Sequence, residues 1–143
     1  MRTVKYLLQA KGYDIWSIGA DASVRDALEL MAEKNVGALL VLDKGDCVGI
    51  VSERDYARKV ELHARSAKDT LVSEIMTGRV VFVRPEQTVE ECMALMTDKH
   101  IRHLPVSDGG ALIGVISIGD VVKELIAEKE FMIQQLENYI KKG

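Results

Sequence analysis

No run in this 143-residue sequence approaches the roughly 18 consecutive apolar residues of a membrane-spanning helix, and the opening Met1-Arg2-Thr3-Val4-Lys5 lacks the apolar core of a secretory signal. The reading is a soluble, cytoplasmic protein. Positive charge is not in surplus either: 19 Lys and Arg against 22 Asp and Glu leave a formal net charge of −3. Without a global basic field, neither nucleic acid nor an anionic membrane is expected as the principal partner, and any basic patch must be local. The two cysteines, Cys47 and Cys92, form no CxxC and suggest neither a zinc site nor a redox pair. Both read as small core residues, Cys92 from an apolar position on a predicted helix. Catalytic fingerprints are missing as well: there is no HExxH, GxSxG, Walker loop or GxGxxG. His63 and His100 have no evident carboxylate or cysteine partner for acid–base or nucleophilic work, so an enzyme is the less favoured class and no catalytic cofactor is expected.

What is present is ample apolar material, 48% of residues against 29% charged, enough to fold throughout as one globular body or two small units sharing a core. The chain also repeats itself. Ser23 aligns with Thr88, 88 − 23 = 65, and the offset holds without a gap through Val24/Val89, Met31/Met96, Lys34/Lys99, Leu39/Leu104, Gly49/Gly114, Ser52/Ser117 and Asp55/Asp120. Such regularity means one supersecondary unit used twice.

Each unit begins with a short extended piece, Trp16 to Ile18 or Val80 to Val83, before a capped helix. Val24, Ala27, Leu28 and Met31 in one helix, and Val89, Cys92, Met93 and Met96 in the other, recur at helical spacing and read as core faces. A hairpin follows, Ala38 to Leu42 with Cys47 to Val51, or His103 to Ser107 with Leu112 to Ile116. Its turns are Asp43-Lys44-Gly45-Asp46 and Asp108-Gly109-Gly110, and a second helix comes at once. Short helical lead-ins, Val4 to Leu8 and Val72 to Met76, precede the units at a spacing of 72 − 4 = 68. The fold class is therefore α/β, two β-α-β-β-α repeats plus a C-terminal helix. Along the chain this gives residues 1–64, 65–126 and a tail, 127–143. Neither unit alone can bury its apolar faces, so the two are expected to pack about a pseudo-twofold axis.

Glu74-Ile75-Met76-Thr77 resembles the D-I-M-T segment of CBS domains, as do Ile101-Arg102-His103-Leu104-Pro105-Val106 and Gly114-Val115-Ile116-Ser117-Ile118-Gly119-Asp120. The resemblance covers about residues 3–126 and rests on the order of motifs, repeated twice. With Ser52-Glu53-Arg54-Asp55-Tyr56 and the helical tail, the chain is similar to small bacterial and plant proteins made of a single CBS pair. The resemblance implies a Bateman module with two clefts for AMP, ADP, ATP, NAD(H) or S-adenosylmethionine, commonly dimeric, acting on a regulated partner protein. The other class to weigh is a ligand-independent dimerisation scaffold.

The site candidates carry two readings each. Ser52 with Asp55, and Ser117 with Asp120, have the spacing of a helix cap. The same spacing recurs at Ser23/Asp26 and Thr88/Glu91, so spacing alone decides nothing. Only Asp55 and Asp120 directly follow a hairpin, with a glycine three residues before the serine, where a carboxylate can accept from both ribose hydroxyls. The resemblance makes these the family's ribose-binding aspartates. Arg54, in the first turn of a helix, suits phosphate, with Arg58 one turn on, or both belong to a solvated basic face. Arg102 and His103, adjacent in a predicted strand, would point to opposite faces. Their counterparts Gly37 and Ala38 suggest one crowded, charged site and one open one. Val72, Ile75 and Met76 flank an adenine or are plain core, and the motif residues Thr77 and Pro105 complete the candidate set.

Beyond the second repeat, Leu125, Lys129, Met132, Leu136 and Tyr139 run at alternating four- and three-residue steps, widened by Phe131, Ile133 and Ile140. A helix with such a stripe must be covered, by its own module or by a second subunit. The family's habit of dimerising favours a homodimer.

Overall fold

The computed structural model describes residues 2–142, the side chain of Lys142 excepted. In order, the elements are α1 (Val4–Lys11), β1 (Ser17–Gly19), α2 (Val24–Lys34), β2 (Ala38–Asp43), β3 (Asp46–Ser52), α3 (Glu53–Lys59), α4 (Val72–Ile75), α5 (Val89–Lys99), β4 (His103–Asp108), β5 (Ala111–Ser117) and α6 (Ile118–Lys142), with a 3-10 turn at Glu61–His63.

These elements gather into two compact units. One, here the central unit, is the continuous stretch Ile15–Val81. The other, the terminal unit, combines the chain up to Asp14 with everything from Phe82 onward. The division in space therefore cuts across the sequence order of the repeats. The lead-in helix α1 belongs with the second hairpin, and the lead-in α4 with the first.

The hairpins are equivalent to the residue, since 38 + 65 = 103 and 52 + 65 = 117 carry Ala38–Ser52 onto His103–Ser117. Each is antiparallel with one register shift, between Val41 and Leu42 or between Val106 and Ser107. Their turns have positive φ at both central positions, 52° and 86° at Lys44 and Gly45, 58° and 86° at Gly109 and Gly110. That backbone matches the right-handed twist of the flanking strands.

The helices after the extended pieces also match. α2 is capped by the Ser23 hydroxyl and ends at Asn35 with φ 55°; α5 is capped by Thr88 and ends at His100 with φ 55°. Their apolar faces bury Val24, Ala27 and Met31, and Val89, Cys92 and Met96. In the central unit that face meets Leu39, Val41, Val51, Val60, Val72 and Ile75 in one cluster. Complete burial of each Val, Leu, Ile or Met side chain among these contributes about 1.5–3 kcal/mol. Burial pushes the Cys92 thiol up to about 11, as befits a packing residue. Cys47 is only half-buried, on a strand whose side chains alternate between core and water.

One expected strand is nearly absent. β1 forms, pairing in parallel with β2 through Ser17/Leu40, Ile18/Val41 and Gly19/Leu42. Its counterpart shrinks to a single bridge, Val83 with Val106. The reason is proline. In the central unit Leu40 N–H donates to the Trp16 carbonyl at 3.1 Å and Ala20 N–H to Leu42 at 3.3 Å. The equivalents of the two donors, 40 + 65 = 105 and 20 + 65 = 85, are Pro105 and Pro85, which have no N–H to give. Only the inner bonds survive, Val83 N–H to Pro105 O at 3.0 Å and Ser107 N–H to Val83 O at 2.9 Å.

Lead-in helices sit over the glycines of the second hairpin strands. A Cβ at Gly49 would lie 2.6 Å from Met76 Sδ and 2.9 Å from the Thr77 carbonyl; one at Gly114 would lie 2.8 Å from Leu8 Cδ2. Thr77 continues into the sheet, exchanging both backbone bonds with Ile50 at 3.0 and 2.8 Å. The chain's own backbone thus takes up the space that the missing Cβ leaves at Gly49.

The tail is the continuation of α6, one helix from Ile118 to Lys142. Phe131, Met132, Ile133, Leu136, Tyr139 and Ile140 are all more than half exposed, so the alternative in which the stripe folds back onto its own chain is not what the structure shows.

Candidate functional site

Both candidate carboxylates stand at the junction of a hairpin and a helix, and both close a reciprocal cap. In the central unit the Ser52 hydroxyl accepts from Asp55 N–H at 3.2 Å while Asp55 Oδ2 accepts from Ser52 N–H at 2.9 Å. In the terminal unit the corresponding distances are 3.2 Å for Asp120 N–H to Ser117 Oγ and 2.8 Å for Ser117 N–H to Asp120 Oδ2. At Ser23 and Thr88 only the hydroxyl half of the cap forms. The four helix starts that share a spacing therefore separate in the structure: two carboxylates are fixed in orientation and two are not.

Each fixed carboxylate also holds a lysine, and neither lysine was singled out by the sequence. Lys59 lies 3.2 Å from Asp55 Oδ1, one helical turn along α3, and donates to the Ile75 carbonyl at 2.8 Å. The i,i+4 spacing was the available signal. Lys11, at the end of α1, donates to Asp120 Oδ2 at 2.6 Å and to the Val115 carbonyl at 2.7 Å. No local pattern announces that pair, because the two residues are 120 − 11 = 109 positions apart.

In the central unit, Arg54 and Arg58 are exposed on α3 and take no ion-pair partner among the described residues. Val72 and Ile75 are 0% and 1% exposed, which makes them core, the plainer of their two expected roles. Met76 is half-buried over Gly49, and Thr77 is exposed beside it. The central unit thus brings Ser52, Asp55 and, through Lys59, the end of α4 together around one carboxylate.

In the terminal unit, Arg102 precedes β4 and lies outside it, which corrects the expectation that Arg102 and His103 alternate within one strand. Its carbonyl accepts from Ile118 N–H at 2.8 Å, as the Gly37 carbonyl does from Glu53 at 3.0 Å. His103 opens β4 opposite Ser117, beside the cap. Burial, then the Lys11 charge, lowers its pKa below the ordinary histidine value; Asp120 opposes and Arg102 adds to the lowering. Pro105 is buried in β4. Burial pushes the Asp120 carboxyl up, but the Lys11 hydrogen bond, the Ser117 N–H and the Lys11 charge outweigh it and hold the group below its usual range. It is ionised at neutral pH. Lys11, Asp120 and Arg102 all act electrostatically on His103, where the central unit has Ala38.

The CBS domain family model matches the sequence twice, over residues 11–62 and 72–127. The chain belongs to the CBS-domain family. CBS pairs are regulatory modules that bind adenine nucleotides in general. Among the relatives, the mitochondrial CBS domain-containing protein CBSX3 of Arabidopsis thaliana is 40% identical over 151 aligned residues, covering 99% of this chain and 73% of its own. A solved protein with CBS domains from Burkholderia ambifaria MC40-6 shares 57% identity with a TM-score of 0.85, covering 87% of this chain and 94% of that one. A hexameric CBS-CP12 protein from bloom-forming cyanobacteria shares 36% identity with a TM-score of 0.72, over 77% of this chain and 66% of that one. No helix among the described residues is long and apolar enough to cross a membrane.

Proposed function

We propose that this CBS pair senses an adenine nucleotide, AMP, ATP or NAD(H), whose ribose hydroxyls are held by Asp55 and Asp120, and passes the ligation state to a regulated partner protein. The observation that carries this reading is the pair of reciprocal caps at one register of a 65-residue repeat, which fix two carboxylates at hairpin ends. A fixed acceptor loses little orientational freedom on taking a diol. Ser52 and Ser117 set the carboxylates. Arg54 and Arg58 supply cationic reach in the central unit, and Arg102 with His103 in the terminal unit. Met76, Thr77 and Pro105 are the candidates beside the base, with Val72 and Ile75 behind them.

Calorimetric titration with AMP, ATP, NADH and S-adenosylmethionine tests the reading. Asp120→Ala should weaken binding by more than about tenfold at a modest cost in stability, and Asp55→Ala makes the test two-sided. Unchanged affinity in both variants overturns the ribose assignment. Adenosine should bind far more weakly than AMP, and AMP affinity should fall with salt. Adenosine binding as tightly as AMP removes the cationic residues from the site.

The exposed stripe of α6 supports a second reading, a scaffold that acts by association alone, and it also supports a homodimer under either reading. The hexameric relative shows that family members assemble. Truncation after Ala127 should lower the dimer fraction in sedimentation at micromolar concentration and leave nucleotide binding measurable. A truncated chain that stays dimeric places the interface on the repeats, and a wild type silent toward all four ligands leaves the scaffold. A cytoplasmic location belongs to this proposal; the mitochondrial relative makes an organelle the competing compartment, which fractionation decides.

A further inference from the structure

We propose that Lys11 holds the ligand's place on Asp120, and that occupation of the terminal site by a ribose diol displaces Lys11 and frees the last turn of α1. The inference rests on the nucleotide reading above and adds a consequence to it.

A carboxylate that grips a cis-diol offers both oxygens, one to each hydroxyl. Asp120 has one to spare: Oδ2 accepts from Ser117 N–H at 2.8 Å and from Lys11 Nζ at 2.6 Å, while Oδ1 has no partner among the described residues. Full engagement of a diol therefore meets the lysine. The ammonium is itself held twice, by Asp120 and by the Val115 carbonyl at 2.7 Å, like a small bound donor. It also has somewhere to go. Its side chain is 36% exposed against 25% for Asp120, so it can exchange these contacts for water while the carboxylate stays.

The central unit pairs its carboxylate differently. Lys59 lies on the same helix as Asp55, one turn along, so their ion pair joins two residues that α3 already holds together, and the lysine's tie to the Ile75 carbonyl at 2.8 Å does not pass through the carboxylate. Lys11 ties α1 to the hairpin–helix junction of β5 and α6, and it is the one basic residue in the last turn of α1. Past Gly12, with φ 111°, the chain runs on into the central unit. A ligand that takes Asp120 thereby acts on a segment it need not touch.

The experiment uses full-length protein carrying Asp55→Ala, so that only the terminal site reports, and adenosine as the probe, because it has the ribose and no phosphate to reward a cation. Adding Lys11→Met should tighten adenosine binding by about threefold to tenfold, the worth of one removed competitor. Lys11→Arg should stay near the parent, and Asp120→Asn should abolish binding in either background. Amide exchange at Leu8 to Lys11 should quicken when adenosine saturates the parent and be quick without ligand in Lys11→Met. Equal or weaker adenosine binding in Lys11→Met, or α1 exchange that adenosine leaves unchanged, overturns the proposal and leaves the nucleotide reading standing. Absence of both adenosine and AMP binding from the wild type and from every variant removes the two together.

Discussion

The central and terminal units use one pattern of hairpin and helix, with the same strand lengths, turn conformations and buried positions. They part company at the sheet edge and at the carboxylate. The central sheet has three strands and the terminal sheet two, because Pro85 and Pro105 withhold the outer donors of the missing ladder. The central carboxylate is countered by a lysine of its own helix, the terminal one by a lysine of a distant element with a histidine alongside. A duplicated fold thus keeps its packing while the edges and the polar junctions diverge. Packing must be satisfied in every copy, whereas edges and junctions are free to specialise.

The sharpest test of equivalence in the cores is truncation at matched positions. Met31 and Met96 are 1% and 2% exposed, and Met31→Ala and Met96→Ala should each cost about 2–5 kcal/mol in urea unfolding. Costs differing by several kcal/mol would show that the units do not share a packing plan.

Next come the glycines under the lead-ins. Gly49→Ala should cost about 1–3 kcal/mol, and more than Gly114→Ala. The methyl at 49 meets the Thr77 carbonyl, locked by two backbone bonds to Ile50, while the methyl at 114 meets the movable end of Leu8. The reverse order would mean that Leu8, at 1% exposure, yields less than the backbone does.

A smaller effect concerns pH. The folded-state pKa of His103 is lowered, so between its folded value and the ordinary 6.5 the unfolded chain binds more protons and stability rises with pH. The protein should lose stability from pH 7 to pH 5, and His103→Ala, which copies Ala38 of the central unit, should flatten that slope. Asp120 acts in the same direction in a lower window: its contribution is complete above its unfolded value of 3.8 and is lost as pH falls through the lower folded value. A slope unchanged by His103→Ala would put the titrating group elsewhere.

Smallest is the restoration of a ladder donor. Pro85→Ala should give residue 85 an amide that pairs with the Ser107 carbonyl, as Ala20 pairs with Leu42, read as one slowly exchanging proton with stability changed by about 1 kcal/mol or less. A rapidly exchanging amide would show that more than a missing donor keeps that strand short.

Hairpins, capped helices and core faces were legible in the sequence because each depends on residues near one another in the chain: turn glycines, capping hydroxyls, apolar periodicity. The short partner of β1 was not, since Val80 to Val83 looks as β-prone as Trp16 to Ile18 and the donors it lacks sit on other segments. The caps at Ser52/Asp55 and Ser117/Asp120 were signalled by spacing and by position in the repeat. Lys11 was not, because which unit an amphipathic lead-in packs against is decided by Leu8 over Gly114 and Met76 over Gly49, contacts between segments far apart in sequence. Arg102 was misplaced for a related reason: its strand begins one residue later, at His103, and the partner of the Arg102 carbonyl, Ile118, sits on another segment.

The exchange of lead-ins makes the central unit an insertion within the terminal one, and this orders the events of synthesis. Ile15–Val81 is continuous and holds its own cluster of buried residues once its last strand contact, at Thr77, has left the ribosome. Thr3, by contrast, pairs with Thr88, and α1 waits for β5 and α6 before Leu8, Lys11 and Arg2 find Gly114, Asp120 and Glu124. The first helix to be made is among the last to dock. A nascent chain stalled when Val81 has just emerged from the ribosome, with β5 and α6 still inside or unmade, should therefore carry a folded centre and an undocked α1, the form in which a chaperone would meet it.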